Sequence, residues 1–407
     1  MGAKKKRLEF DVEKLISLDD KRRSLLTEIE AHRAEQNVAS QKIAQADAAG
    51  RAPILEAMKT LKGEMAKKEE ELKGVMKDWQ LMMLQVPNIP DISVPEGESD
   101  ADNREVHSWG EKPVFPFTPK NHIDLVESLD LVDFEKGAEV AGFRGYYLKR
   151  DAVTVNLALW GMVLKHFLTK GYVPMMVPSM VRKQTLYGTG YLPQGEEDLY
   201  KTQDEDYLSG TGEVGAMSYF ADKILDKSQL PLKVLAFSTC FRREAGSHSK
   251  DTKGLIRVHE FFKWEQVIIC EASHETSVKH HEELRRNSEE LLEKLGLHYH
   301  TVANCGADLG LGQVKKYDLE AWVPSQNTFR ETHSCSYFHD FQTRRLNIRY
   351  KDTDGKMKFA HSLNNTALAS PRILVPIFEN GQQADGTIKV PEALREFVGK
   401  DVIGRPE

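Results

Sequence analysis

The sequence predicts an α+β protein in two parts: a long antiparallel helical hairpin, then an antiparallel β-sheet domain flanked by helices. Three observations predict it. Two heptad patterns fill residues 15–82, a proline-rich acidic stretch follows, and beyond it β-branched and aromatic runs mix with helical segments without a regular β-α-β alternation.

"KKKR" at 4–7 is a short basic stub that could touch a polyanion or simply be solvated. The first heptad runs through Leu15, Leu18, Arg22, Leu25, Ile29, His32, Gln36, Ala39 and Ile43, and the second through Ile54, Met58, Leu61, Met65, Lys68, Leu72, Val75, Trp79 and Met82. Between them "DAAGRAP" offers Gly50 to end one helix and Pro53 to begin the next. Each helix, at about 35 residues and ~1.5 Å per residue, reaches roughly 50 Å. Helices that long bury little of themselves, so the arm serves contact with something large, a dimerising coiled coil, or a spacer. "QVPNIPDISVPEGESDADN" reads as a linker. The expected boundaries are 1–86 for the arm, 87–104 for the linker and 105–407 for a catalytic domain.

Among 407 residues with net charge −6, residues 1–85 carry slightly more basic than acidic side chains, so the acidity lies beyond them. Short apolar runs and the lack of a signal-peptide pattern point to a cytoplasmic protein with no membrane partner. Cys240, Cys270, Cys305 and Cys335 lie too far apart for a disulfide framework or a cysteine zinc site. "KHH" (279–281) and "HYH" (298–300) read as solvated or structural histidines, so no zinc is expected. There is no Gly-x-Gly-x-x-Gly and no Walker loop.

The segment "CFRREAGSHSKDTKGLIRVHEFFKWE" (240–265) has two strand-like runs around a turn-like "AGSHSKDTKG", and reads as a β-hairpin. Strand alternation puts Arg257, His259, Phe261, Lys263 and Glu265 on one face and Ile256, Val258, Phe262 and Trp264 on the other, with Arg242 and Glu244 sharing a face. Guanidinium forks, carboxylates and an aromatic ring on one surface suit a nucleotide. They equally suit a solvated sheet face laced with Arg–Glu pairs.

The ordered set "GTGYLPQGEEDLY", "TGE" (211–213), the hairpin, "YDLEAWVPSQNTFRETHSCS", "DFQTRRLNIRY" and "HSLNNTALASPR", behind a helical arm, resembles the class II aminoacyl-tRNA synthetases, and in detail the bacterial-type seryl-tRNA synthetases, over nearly the whole chain. The resemblance implies a class II synthetase sheet and a serine–tRNA ligase. Such an enzyme activates serine with Mg-ATP to seryl-adenylate and transfers it to the 3′ end of tRNA(Ser), and of tRNA(Sec) where present. By motif, Arg242, Glu331 and Arg372 are the implied catalytic residues. Arg242 would grip the α-phosphate and Glu244 the adenine end, Phe261 would stack on the base, and the Val258 backbone would contact it. Arg243, Arg257, Thr332 and His333 complete the implied ATP site, Glu331 and Ser334 would hold Mg²⁺, and Arg372 would take the γ-phosphate. Thr211, Gly212, Glu213, Glu265 and Thr366 match the L-serine pocket, whose polar groups would be left unpaired by an analogue without the hydroxyl. "KGYVPMMVPSMVR", with Pro178, resembles motif 1 and implies a homodimer.

Four residues depart from the family's pattern: Ala367 and Pro371 stand where glycines are usual, and Arg243 and Tyr337 are larger than expected, able to narrow the site. Pro376 falls where it could bend the following helix. The arm starts almost at once, an expected shortening of the family's initial helical segment. Two other functions compete: a synthetase-like enzyme loading a carrier protein, against which the full arm counts, and a tRNA-binding pseudo-enzyme, whose mark would be loss of Arg242, Glu331 or Arg372.

Overall fold

The computed structural model describes residues 2–246 and 251–405. The chain divides into two units, residues 8–87, and residues 1–7 together with 88–407.

In the first unit, helices α2 (Val12–Gln45) and α3 (Ala48–Leu84) pair, while a short α1 (Gly2–Lys5) belongs to the other unit. Every heptad position named above is buried or half-buried, and nearly all intervening positions are exposed. Leu25, Ile29 and Val75 are the most deeply covered. Two of the polar heptad residues have cross-helix partners: the Arg22 guanidinium lies 4.7 Å from the Trp79 ring centroid, and Lys68 pairs with Glu28. The break comes at Ala46–Asp47, three residues before the predicted one. Asp47 caps α3 by accepting the Gly50 N–H at 2.9 Å, so Gly50 sits inside the first turn and Pro53 removes one bond from an exposed second turn.

The second unit is built on an eight-stranded sheet: β1 (Arg104–Trp109), β2 (Val173–Met176), β3 (Leu232–Phe241), β4 (Glu260–Cys270), β5 (Tyr299–Ala303), β6 (Lys315–Val323), β7 (Thr328–His339) and β8 (His361–Ser370). The order is β1-β5-β6-β7-β8-β4-β3-β2, antiparallel except for the β2–β3 edge pair. One face packs on α4 (Arg150–Thr169), α6 (His274–Lys294) and α7 (Leu374–Gly381), with Leu159, Val163, Leu291 and Phe378 fully buried. Each such side chain contributes about 1.5–3 kcal/mol. Part of the other face is covered by α5 (Gly212–Ser218), whose Ala216 and Met217 meet Val234, Val267 and Ile269.

Among the described residues α4 alone is long and apolar enough to cross a bilayer; its buried positions, including Ala152, Val155, Leu159, Val163 and Phe167, recur at helical spacing on the core side. Pro376 takes no bond from the helical ladder. It lies in the first turn of α7, where the Arg372 carbonyl already accepts from Val375 N at 3.0 Å.

The proline-rich stretch lies along this unit: Asn88 N–H reaches Leu311 O and Asp91 N–H reaches Val314 O, both at 2.9 Å, and Val94 is buried. The basic stub is partly docked: Lys4 and Arg7 are exposed, but the reading of a solvated stub fails at Lys6. Lys6 is buried with its ammonium on three backbone carbonyls, and Arg7 meets Glu98 at 3.1 Å.

Candidate active site

Strand β4 supplies the floor of the site. Trp264, Ile268 and Cys270 enter the helical core, while Phe261, Lys263 and Glu265 point the opposite way, into a cleft of about 850 Å³ partly open to solvent. Farther along that second face, Val267 and Ile269 are sealed beneath α5, so one face of one strand is cleft at one end and core at the other.

The β3–β4 ladder ends at the Phe241–Glu260 pair, with Arg242 N donating to His259 O at 2.9 Å as a last step. Positions 247–250 of the predicted turn lie outside the described residues. Before Glu260 the backbone is no longer a strand, and the predicted alternation fails there: Ile256 and Val258 line the cleft, whereas Arg257 lines an adjoining cavity of about 1190 Å³. There Arg257 pairs with Glu244. Glu244 itself takes a left-handed φ of 54°, a conformation that costs a non-glycine residue free energy. Burial works against the charge of its carboxylate, but the Arg257 pairing outweighs it and holds the pKa below the ordinary range.

Arg242 lies with its guanidinium 5.3 Å from the Phe261 ring centroid. Arg372 donates through Nε to Ile256 O at 2.8 Å and through Nη1 to Glu331 O at 3.1 Å, with the Glu331 carboxylate 3.7 Å away. Burial lowers the Arg372 pKa; the Glu331 carboxylate opposes this, and the neighbouring Arg242 and Arg257 add to it. Guanidinium groups that repel one another in a partly enclosed space favour a polyanion between them.

Strand β7 carries Glu331, Thr332 and Ser334 to the cleft wall. A register shift in its pairing with β6 brings side chains three positions apart to one side, which period-two alternation forbids. Among the described residues no group of three or more His, Cys, Asp or Glu could hold a metal ion. Glu331 and Ser334 nevertheless form an oxygen-only pair that suits a hard cation completing its shell with phosphate and water.

At the other end, Thr211 caps α5 by accepting the Glu213 N–H at 3.2 Å. Burial raises the Glu213 pKa; Tyr191 Oη, at 2.8 Å, and Gln342 Nε2 donate to its carboxylate. Glu265 pairs with Lys263 at 2.5 Å, both buried, and stands in register with Thr366 of β8.

The cleft thus gathers Arg242, Glu244, Val258, Phe261, Glu331, Thr332, Ser334 and Arg372 with Thr211, Glu213, Glu265 and Thr366. It does not gather four expected residues. Arg243 is exposed, with its N–H on Asp198 O at 2.9 Å. Arg257 lies in the adjoining cavity, as above. The His333 ring turns behind the sheet to Ala367 O at 3.1 Å, where burial depresses its pKa to about 4. Gly212 backs onto β3, where an added Cβ would lie 3.2 Å from Ser238 Oγ. Of the departures, Pro371 lines the cleft, Ala367 is buried in the core, and Tyr337 points away to donate to Asp91 at 2.8 Å. Cys240 and Cys335 are buried with raised pKa values, as packing residues.

Sequence reasoning missed Tyr191, Gln313, Ser336 and Asn364 in the cleft, and the pairing of Lys263 with Glu265. The last had a signal, a lysine two places before a glutamate on one face of the strand, and Tyr191 lies within the quoted "GTGYLPQGEEDLY"; Gln313 comes from a loop and had none.

Residues 198–381 match the family model described as the tRNA synthetase class II core domain (G, H, P, S and T), and residues 2–90 match the seryl-tRNA synthetase N-terminal domain. The chain is 42% identical over 403 residues to a serine–tRNA ligase of Deinococcus radiodurans, covering 98% of this chain and 95% of that one. It is 43% identical to one from Nitratidesulfovibrio vulgaris, covering 96% and 92%. Among solved structures, a seryl-tRNA synthetase from Pyrococcus horikoshii complexed with ATP matches at 36% identity and a TM-score of 0.89, over 97% and 94% of the two chains.

Proposed function

The chain belongs to the seryl-tRNA synthetase family, class II ligases that bind ATP and join serine to tRNA, and from that premise we propose how its residues carry the reaction. The observation that carries the reading is the composition of one cleft, which gathers Arg242 and Arg372, with Glu244 and Glu331 beside them, and the buried Thr211, Glu213, Glu265 and Thr366.

ATP lies with its base on Phe261 and against the Val258 backbone, and Glu244 near the adenine end. The triphosphate runs toward Arg372 and into the adjoining cavity, where Arg257 meets it. Serine sits among Thr211, Glu213, Glu265 and Thr366, its ammonium facing carboxylate and its hydroxyl facing Glu265 and Thr366. Arg242 holds the α-phosphate and offsets charge as a serine carboxylate oxygen bonds to the α-phosphorus and the bond to pyrophosphate breaks. In the second step a ribose hydroxyl of the terminal adenosine attacks the seryl carbonyl carbon and AMP leaves. Glu331 and Ser334 would hold Mg²⁺, which neutralises phosphate charge when bound.

We further read tRNA(Ser), and tRNA(Sec) where present, as partners gripped by the arm, whose outer faces carry exposed Lys, Arg and Gln. A homodimer is supported by apolar side chains exposed on α4 and β2, among them Leu157, Val173 and Met176. The cytoplasm is the proposed site of action.

ATP–pyrophosphate exchange with Mg²⁺ and each of the twenty amino acids tests the reading. Exchange with serine alone is expected. Exchange with another amino acid, or with none, overturns it.

A further inference from the structure

The proposed chemistry uses neither the basic stub nor the turn at residues 310–313. That turn lies outside the sheet ladders, yet each of its four carbonyls has a donor from elsewhere in the chain. Lys6 Nζ reaches Gly310 O at 2.9 Å, Leu311 O at 2.7 Å and Gln313 O at 2.7 Å, and Asn88 Nδ2 reaches Gly312 O at 3.0 Å. Three acceptors around one nitrogen suit an ammonium, which has three protons to donate, although burial lowers the Lys6 pKa to about 7. The turn is also pressed from its far side: a Cβ on Gly312 would lie 2.5 Å from the Phe341 ring.

What this clamp delivers is Gln313, which lines the cleft. Its Oε1 accepts the Gly310 N–H at 2.6 Å and its Nε2 donates to Ser336 Oγ at 2.8 Å. Strand β7 runs from the Arg372–Glu331 contact through Ser334 to Ser336, and Ser336 stands opposite Asn364 of β8, two positions before Thr366. Gln313 therefore closes the end of the cleft remote from Arg372, beside the pocket read as taking serine. With both amide atoms committed, its side chain is a preorganised wall.

We propose that Gln313 bounds the amino-acid pocket and limits the size of side chain it admits, and that Lys6 is the positioning residue that sets Gln313 there. This rests on the serine reading of the pocket.

The test is exchange kinetics with serine and with threonine for the full-length wild type, Gln313→Ala, Lys6→Met and the double variant. Gln313→Ala should raise KM for serine roughly three- to tenfold, leave KM for ATP within about twofold, and raise the threonine-to-serine ratio of kcat/KM about tenfold. Lys6→Met should reproduce that split at smaller amplitude, and the double variant should match Gln313→Ala, because both changes act through one element. Unchanged serine KM and threonine ratio in Gln313→Ala overturn the proposal. A Lys6→Met protein with a lower melting temperature but wild-type kinetics reduces Lys6 to a structural role. If Lys6→Met does not fold, Asn88→Ala loosens the same turn from its other side and must show the same split. A wild type inert toward serine would fail the parent reading instead, so the two failures are distinguishable.

Discussion

The arm and the cleft are both built on a short repeat, and the repeat survives in one and breaks in the other. In the arm, all eighteen heptad positions read from the sequence are buried or half-buried between α2 and α3. In β4 the two-residue repeat holds from Phe261 onward, and it fails at Val258, two residues before the last ladder pair at Glu260. A period persists while hydrogen bonds of the same segment enforce it. Where the chain is held instead by distant groups, as Ile256 is by Arg372, spacing no longer tells where a side chain points.

The contrast predicts that damage to the cleft and damage to the arm separate. The largest effect is Arg242→Ala, which should cut serine-dependent exchange by about 10³-fold with the circular dichroism unchanged. Equal loss of helical signal would mean the two regions fold as one. Deleting residues 16–82 comes next: exchange should stay within about twofold while tRNA charging falls by ~10²-fold or more, as loss of most phosphate contacts requires. Normal charging by the armless protein would sink the role given to the arm.

Glu265→Gln should raise KM for serine by ~10- to 100-fold, as expected for a hydrogen bond to a charged group. The amide is the proper substitution because Glu265→Ala would leave Lys263 buried and unpaired, at a cost of about 3–5 kcal/mol to folding. Leu25→Ala should cost the arm ~2–3 kcal/mol in thermal melting and leave exchange untouched.

The smallest expected effects are electrostatic. Burial opposes the Glu283 charge, but hydrogen bonds from His280 and Lys233 prevail and bring its pKa to about 2. A depressed folded pKa stabilises above the unfolded value and is lost as pH falls from ~4.5 through ~2, so Glu283→Gln should flatten that part of the acid-unfolding curve by about 1 kcal/mol after solvent screening. Arg33→Ala, which removes an exposed pair with Glu69, should cost the arm less than ~1 kcal/mol.

The elements were legible wherever burial and periodicity agree, as in α2, α3, α4, α6 and the hairpin strands. The helix break was misplaced because Gly50 and Pro53 looked like punctuation, while Asp47 had already begun α3 with its carboxylate. In the cleft, residues on regular strands were legible. His333 and Gly212 were assigned to the substrate by motif, but the backbone turns the first behind the sheet and the second onto β3, while Arg257 lines the adjoining cavity and reaches the cleft through its pair with Glu244.

The divided face of β4 also sets how the two regions tolerate gained or lost residues. Seven residues added to both α2 and α3 would lengthen the arm and return every later side chain to its seam. One residue added to β4 would exchange Lys263 and Glu265 with their neighbours across the sheet, driving charge into the helical core and Trp264 into the cleft. Two would keep the faces but slide the sealed Val267–Ile269 end toward the opening by roughly 7 Å. Length is thus a free variable in the arm and a fixed one in β4, so indels in this chain should accumulate between residues 12 and 84 and be absent between 260 and 270.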